Sequence, residues 1–178
     1  FCAVAALLPS VACEIFRPQD HGAKADGQHN DTAAVLAAAA AAAACGATSV
    51  PGGCELLFSG GTFLTGPFML PSHSAVTVAD GATVRAMPMK QWNAAGWTSG
   101  AFLSGTSLTN LTIQGSGTID GNGADWWAVT HDDLHYRPGM LALEGTHGLV
   151  IQDVLFLNSP NHNIMLSGSL GVRVRRIR

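Results

Sequence analysis

Charge is scarce in this chain: only 12% of its 178 residues are Asp, Glu, Lys or Arg, and nine basic against twelve acidic residues leave a formal charge of -3. Nucleic acid is bound through clustered Lys and Arg on one face. The single basic run here is Arg173, Arg175, Arg176 and Arg178, so no nucleic-acid partner is expected. A neutral or weakly charged ligand suits the balance better, although a local basic cleft would still hold an anionic sugar. Long apolar runs are missing too. The opening FCAVAALLPSVA is too short to span a bilayer, and no membrane partner is expected. His21, His29, His73, His131, His135 and His147 show no metal-ligand spacing, so neither a metal nor another cofactor is expected. What remains is 47% hydrophobic with 21 Gly, a composition that excludes disorder and coiled coil and fits one turn-rich globular domain.

The opening segment begins at Phe1 and closes with the small residues Ser10 and Ala12 at signal-cleavage spacing. Residues 1–12 therefore read as the remnant of a secretory signal peptide, with an apolar N-terminal strand as the competing reading. Lipid attachment at Cys13 is disfavoured, because Ser10 stands where such signals carry a large apolar residue. With the signal removed, Cys45 and Cys54 remain as a candidate disulfide. A nine-residue separation from a helix end to a first strand can be closed, and secretion supplies an oxidising compartment. The sequons at Asn30 and Asn110 are compatible with that compartment.

A Gly- and Asp-rich loop, HGAKADGQHND, precedes a helix-forming run from Thr32 to Ala44. Asp31 suits the N-cap and Gly46 the stop. The run is almost all Ala, with Val35 and Leu36 as its large side chains, so docking rather than intrinsic stability must hold it. From Cys54 onward the pattern changes to short segments rich in Val, Ile, Leu and Thr, broken by Gly, Asn and Asp: ELLFSGGTFLTG, AVTVADGATVRA, LTNLTIQGSGTIDG, HGLVIQDVLFLNS and LGVRVRRIR. These are strands. Equivalent centres fall near Thr112, Val150 and Arg173; removing the insertion DWWAVTHDDLHYRP leaves a coil of about twenty residues. The prediction is an all-β fold, a right-handed parallel β-helix with an N-terminal capping helix. A β-sandwich is the alternative, but it does not call for a cap helix followed by repeating coils.

The segment IFRPQDHGAKADGQHNDTAAVLAA resembles the entry to β-helical pectinases. GGTFLTGPFML, ADGATVRA, GSGTIDGNGADWW, Arg137-Pro138 and NSPNHNI follow in the order found in the polygalacturonase-type glycoside hydrolases, family 28. The resemblance covers about Ile15 to Arg178. It implies a secreted, extracellular or cell-wall protein, a monomer whose partner is pectic polysaccharide. It also implies inverting hydrolysis of α-1,4 bonds between galacturonic acid units by aspartates on neighbouring coils. Inversion sets the acid and base about 6.5–9.5 Å apart, a span that side chains one or two coils apart provide. The family carries these groups in an Asn-Thr-Asp motif, a following Asp-Asp motif, and then Gly-His-Gly and Arg-Ile-Lys motifs; Asn-Thr-Asp, Gly-His-Gly and Arg-Ile-Lys do not occur here, so no Asp-Asp follows an Asn-Thr-Asp. Residues 13–178 are accordingly expected to be the N-terminal part of one β-helix domain, truncated before the catalytic coils, with no catalytic residue in this chain.

Asn158, Asn161 and His162 are the candidate substrate-binding residues, since the strand before them borders the cleft in the family. An Asn ladder that merely satisfies turn backbone is the even alternative. Asp132 and Asp133 are the sole adjacent carboxylates, but strand neighbours face opposite ways and a polar insertion favours a solvated loop. Asp120 reads as a turn residue. Asp153 and Glu144 stand on or beside strands, with little claim on a sugar. Trp126 and Trp127 favour packing over sugar stacking, and Arg137 favours a loop anchor over a substrate carboxylate. A β-helical lyase or epimerase would want acidic calcium sites, which are not seen. A non-catalytic carbohydrate-binding β-helix is the other alternative.

Overall fold

A computed structural model describes residues 13–48, 53–97, 100–129 and 137–178. The proposed signal remnant, Asp132, Asp133, His131 and His135 lie outside the described residues. Strand β1 (Glu14–Phe16), a 3-10 turn (Pro18–His21), β2 (Asp26–Asn30) and helix α1 (Thr32–Ala47) open the fold. Then come β3 (Cys54–Phe58), β4 (Gly61–Thr65), β5 (Phe68–Met69), β6 (Ser74–Val78), β7 (Ala82–Ala86) and α2 (Met89–Ala94). After these run β8 (Ala101–Thr106), β9 (Thr109–Gln114), β10 (Thr118–Asp120) and α3 (Ala124–Trp127). The chain continues through β11 (Gly139–Glu144), β12 (His147–Gln152), β13 (Leu155–Leu157), β14 (Ile164–Ser167) and β15 (Arg173–Arg175).

The strands form three sheets, β1-β3-β6-β9-β12-β15, β2-β4-β7-β10-β13 and β5-β8-β11-β14. Every strand pair within them is parallel. From β5 on, each coil visits the third, first and second sheet in turn, which is the path of a right-handed parallel β-helix. The register joins Thr112 to Val150 and Val150 to Arg173, the positions that the sequence spacing singles out as equivalent.

Alternation decides which side chains enter the core. In the first sheet Leu56, Val76, Ile113 and Ile151 stack inward, one from each coil. Phe63, Val84, Ile119 and Phe156 do so in the second, and Phe68, Leu103 and Leu141 in the third. Burying each such side chain contributes about 1.5–3 kcal/mol before chain entropy is counted.

Helix α1 departs from expectation at both ends. Asp31 makes no side-chain bond to the first turn; it is buried and instead accepts from the amides of Lys24 (2.8 Å) and Ala25 (3.1 Å). Its carboxylate therefore pins the preceding loop, and the Asn30 side chain takes the Thr32 amide at 3.0 Å. Nor does Gly46 stop the helix, which runs through it to Ala47. A β-carbon at Gly46 would lie 2.2 Å from the Ser72 carbonyl oxygen, so glycine serves close docking rather than termination. The buried stripe is Ala34, Val35, Ala38, Ala39, Ala42, Cys45 and Gly46, while Leu36 is 45% exposed. Small side chains let the helix lie close against the first coil, and the Cys45–Cys54 disulfide ties its end to β3. This is the N-terminal cap.

Candidate functional site

The solvent side of the third sheet carries an open groove. Its register stacks Met69, Ser104, Ala142 and Met165 in one outward row and Thr106, Glu144 and Ser167 in another. The groove is about 670 Å³, within the range of small-molecule sites.

One end of each coil of this sheet is entered through a turn from the second sheet. There the IDGNG loop underlies the NSPNHN segment of the next coil. A β-carbon at Gly121 would come within 2.8 Å of the Asn158 carbonyl oxygen, and one at Gly123 within 2.6 Å, so both positions require glycine. Asp120 is buried between the two loops. It accepts from Arg85 Nε (2.9 Å), the Asn122 amide (2.9 Å) and Asn158 Nδ2 (3.1 Å). It is a turn residue, as its sequence context suggests, and also the partner that neutralises Arg85.

The three candidate binding residues are thereby separated in role. Asn158 adopts a left-handed conformation (φ 53°) and donates its side-chain amide to the Asp120 carboxylate at 3.1 Å. Asn161 and His162 stand exposed on the turn into β14. Asn161 Nδ2 reaches the Arg137 carbonyl at 3.4 Å. The His162 carbonyl accepts from the Met140 amide (2.8 Å) and Ser159 Oγ (3.0 Å), which holds the backbone while the imidazole faces solvent.

The paired tryptophans also divide. Trp126 is 3% exposed and packs edge-on to Trp92, with ring centroids 6.4 Å apart. Trp127 is 53% exposed and its indole N–H is fixed on the Ser159 carbonyl at 3.0 Å. Arg137 donates to the Val129 carbonyl at 2.9 Å. Asp153 pairs with Arg176 on the rim of the first sheet, and that hydrogen bond holds its carboxyl below the usual range. Among the described carboxylates, Glu144 alone lines the groove. Among the described residues no three His, Cys, Asp or Glu side chains gather as a metal site, and no helix is long and apolar enough to cross a membrane.

Sequence reasoning missed the third sheet itself. Its runs FLSGT, MLALE and IMLS are as apolar as the others, but each follows a loop or an insertion, outside the paired segments that reveal the repeat. A short apolar run after every interruption is the signal that was available.

Residues 49–178 match the family described as glycosyl hydrolases family 28. The chain is 32% identical over 162 residues to a probable polygalacturonase of Vitis vinifera, covering 82% of this chain and 32% of that protein. It is 30% identical over 177 residues to a polygalacturonase of Cryptomeria japonica, covering 92% and 32%. The chain thus spans about a third of the length of these curated relatives. Its fold superimposes on an exopolygalacturonase from Thermotoga maritima with a TM-score of 0.77 at 18% identity, over 95% of this chain and 47% of that one.

Proposed function

Because the chain belongs to the glycosyl hydrolases of family 28, we propose that it is the N-terminal part of a secreted, inverting hydrolase of α-1,4 bonds between galacturonic acid units of pectin. The observation that carries this reading is the family match over residues 49–178 together with the open groove on the third sheet. In this reading the chain supplies the groove's N-terminal coils and a rigid turn presenting Asn161 and His162 to the sugar, while Asn158 braces that turn through Asp120. Trp127, its ring orientation fixed by Ser159, adds an exposed apolar face beside the same turn.

The chemistry itself requires two carboxyl groups about 6.5–9.5 Å apart across the bond, one protonated to release the leaving oxygen and one ionised to activate water. Four of the described carboxylates are committed elsewhere or isolated: Asp31 and Asp120 are buried on structural partners, Asp153 is paired with Arg176, and Glu144 lines the groove with no second described carboxylate. We therefore place the acid and base beyond residue 178, on coils stacked in register with β14. The Cys45–Cys54 disulfide supports an oxidising, extracytoplasmic setting, and a monomer acting on pectic polysaccharide is the working assembly.

The test is release of reducing ends from polygalacturonate. The 178-residue chain should match a heat-killed control, and a longer protein that includes the following coils should be active. Activity of the 178-residue chain alone would defeat the placement of the acid and base. In the longer protein His162→Ala should raise KM or lower kcat severalfold with thermal stability unchanged. Unchanged kinetics would remove His162 from the site.

A further inference from the structure

Two Asn-x-Thr sequons, at Asn30 and Asn110, are built into the fold in different ways. Asn110 opens β9 on the outer face of the first sheet, with β1, β3 and β6 stacked on one side of it and β12 and β15 on the other. It is exposed, and its backbone is left-handed (φ 50°), a conformation that Asn tolerates. Two depressions meet at Asn110 and Thr112. One of about 450 Å³ is floored by Gly148 and Gly171 of the next two coils, and one of about 350 Å³ is walled by Gly53, His73 and Ala75. The side-chain amide is oriented between them. A β-carbon at Gly148 would come within 2.8 Å of Asn110 Oδ1, whereas Asn110 Nδ2 lies 3.4 Å from His73 Nδ1. The nitrogen therefore points into the second depression, toward an exposed imidazole.

Asn30 is exposed as well, but its sequon closes on itself. Asn30 Oδ1 accepts from the Thr32 amide at 3.0 Å and from the Thr32 hydroxyl at 2.6 Å, at the first residue of α1. Contacts between residues two apart form without closing a long loop. The surroundings of Asn110, by contrast, are His73, 37 residues earlier, and Gly148 on the following coil, and they assemble only when the coils stack. A transferase needs the Asn amide and the Thr hydroxyl in a chain still free to bend around both, and the segment at Asn110 stays free for longer. Resting on the secreted part of the reading above, we propose that Asn110, rather than Asn30, is the site at which this chain takes an N-linked oligosaccharide. The donor class is an oligosaccharide on a lipid diphosphate. Asn110 Nδ2 bonds to the anomeric carbon of the sugar as the anomeric C–O bond breaks. The diphosphate leaves with that electron pair, and one amide proton passes to a base of the transferase. The product keeps Oδ1 over Gly148 and sends the sugar out over the first sheet.

The experiment secretes the longer protein, including the following coils, from a eukaryotic host. Peptide mass spectrometry then reads each sequon after amidase release of the glycan, which turns a modified Asn into Asp. Occupancy at Asn110 should exceed that at Asn30 severalfold. Asn110→Asp keeps a residue that tolerates the left-handed backbone and should abolish the glycan-dependent mobility shift. Thr112→Val, which suits a strand, should abolish it too, whereas Thr112→Ser and Asn30→Asp should retain it. Secreted protein with the Cys45–Cys54 bridge formed but Asn110 unmodified would overturn the inference and leave the secretion reading standing. So would occupancy at Asn30 equal to or above that at Asn110, or a shift that survives in both Asn110→Asp and Thr112→Val. Protein retained in the cell with Cys45 and Cys54 as free thiols and both sequons unmodified would overturn the secretion reading and this inference with it.

Discussion

The outward faces of the first and third sheets are built on the same coils and treat solvent in opposite ways. On the first sheet, Glu55, Thr77, Gln114, Gln152 and Arg175 form a ladder. Thr77 donates to Glu55, Gln114 to Thr77, Gln152 to Gln114 and Arg175 to Gln152. Each polar group is answered by the next coil. On the third sheet the corresponding row of Met69, Ser104, Ala142 and Met165 has no such linkage among its side chains, and its methionines stand exposed. A face that satisfies its own hydrogen bonds has little left for a ligand, whereas an unlinked, partly apolar face leaves surface for one.

The largest expected effect breaks what the two faces share. Ile113→Ala removes a core side chain from the ladder behind the first sheet and should cost about 2–5 kcal/mol in chemical denaturation. Asp120→Ala comes next, at about 2 kcal/mol. It leaves Asn158 Nδ2 and the Asn122 amide without their acceptor and frees Arg85. Because Asp120 braces the turn carrying Asn161 and His162, sugar binding should fall in the same variant. Gln152→Ala interrupts the first-sheet ladder on both sides and should cost about 0.5 kcal/mol with no change in oligosaccharide affinity. Met165→Ala on the third sheet should do the converse, altering stability by no more than about 0.5 kcal/mol while weakening binding measured by calorimetry.

The smallest effect is electrostatic. Asp153, its carboxyl lowered by the hydrogen bond from Arg176, contributes stability that is fully present above the unfolded carboxyl pKa. That contribution is lost as pH falls through the lower folded value. Asp153→Asn should flatten that acid-side step in a pH series of thermal melts, lowering stability slightly at neutral pH, where the pair is formed, and matching the unaltered chain at low pH. An identical acid profile in the variant would show that the pair at the rim contributes nothing.

Legibility followed locality. The strands of the first and second sheets stood out because each pair is joined by a tight turn with Gly, Asn or Asp, as in Val78 to Ala82 and Gln114 to Thr118. Their apolar alternation therefore repeats visibly. The third sheet was hidden because α2 and the α3 insertion separate β8 and β11 from the preceding strands, and β5 has only two residues. At the candidate site, the residue types of Asn158, Asn161 and His162 were readable from their motif. Their division of labour was not: the left-handed turn at Asn158 and the buried Asp120 beneath it belong to two different coils.

The sequence by itself determined the coil and its cap, because alternation, turn residues and an alanine-rich helix are properties of neighbours along the chain. It also determined that cations would be few. Only the tertiary structure decided where those cations went. Stacking brings side chains 23 or 38 residues apart into contact, and no local pattern records which partner each one meets there. Asp31 shows the same limit at short range. Its residue type suits a helix cap, but the folded loop brings the amides of Lys24 and Ala25 to its carboxylate first, and a buried carboxylate bonds to the donors that close around it.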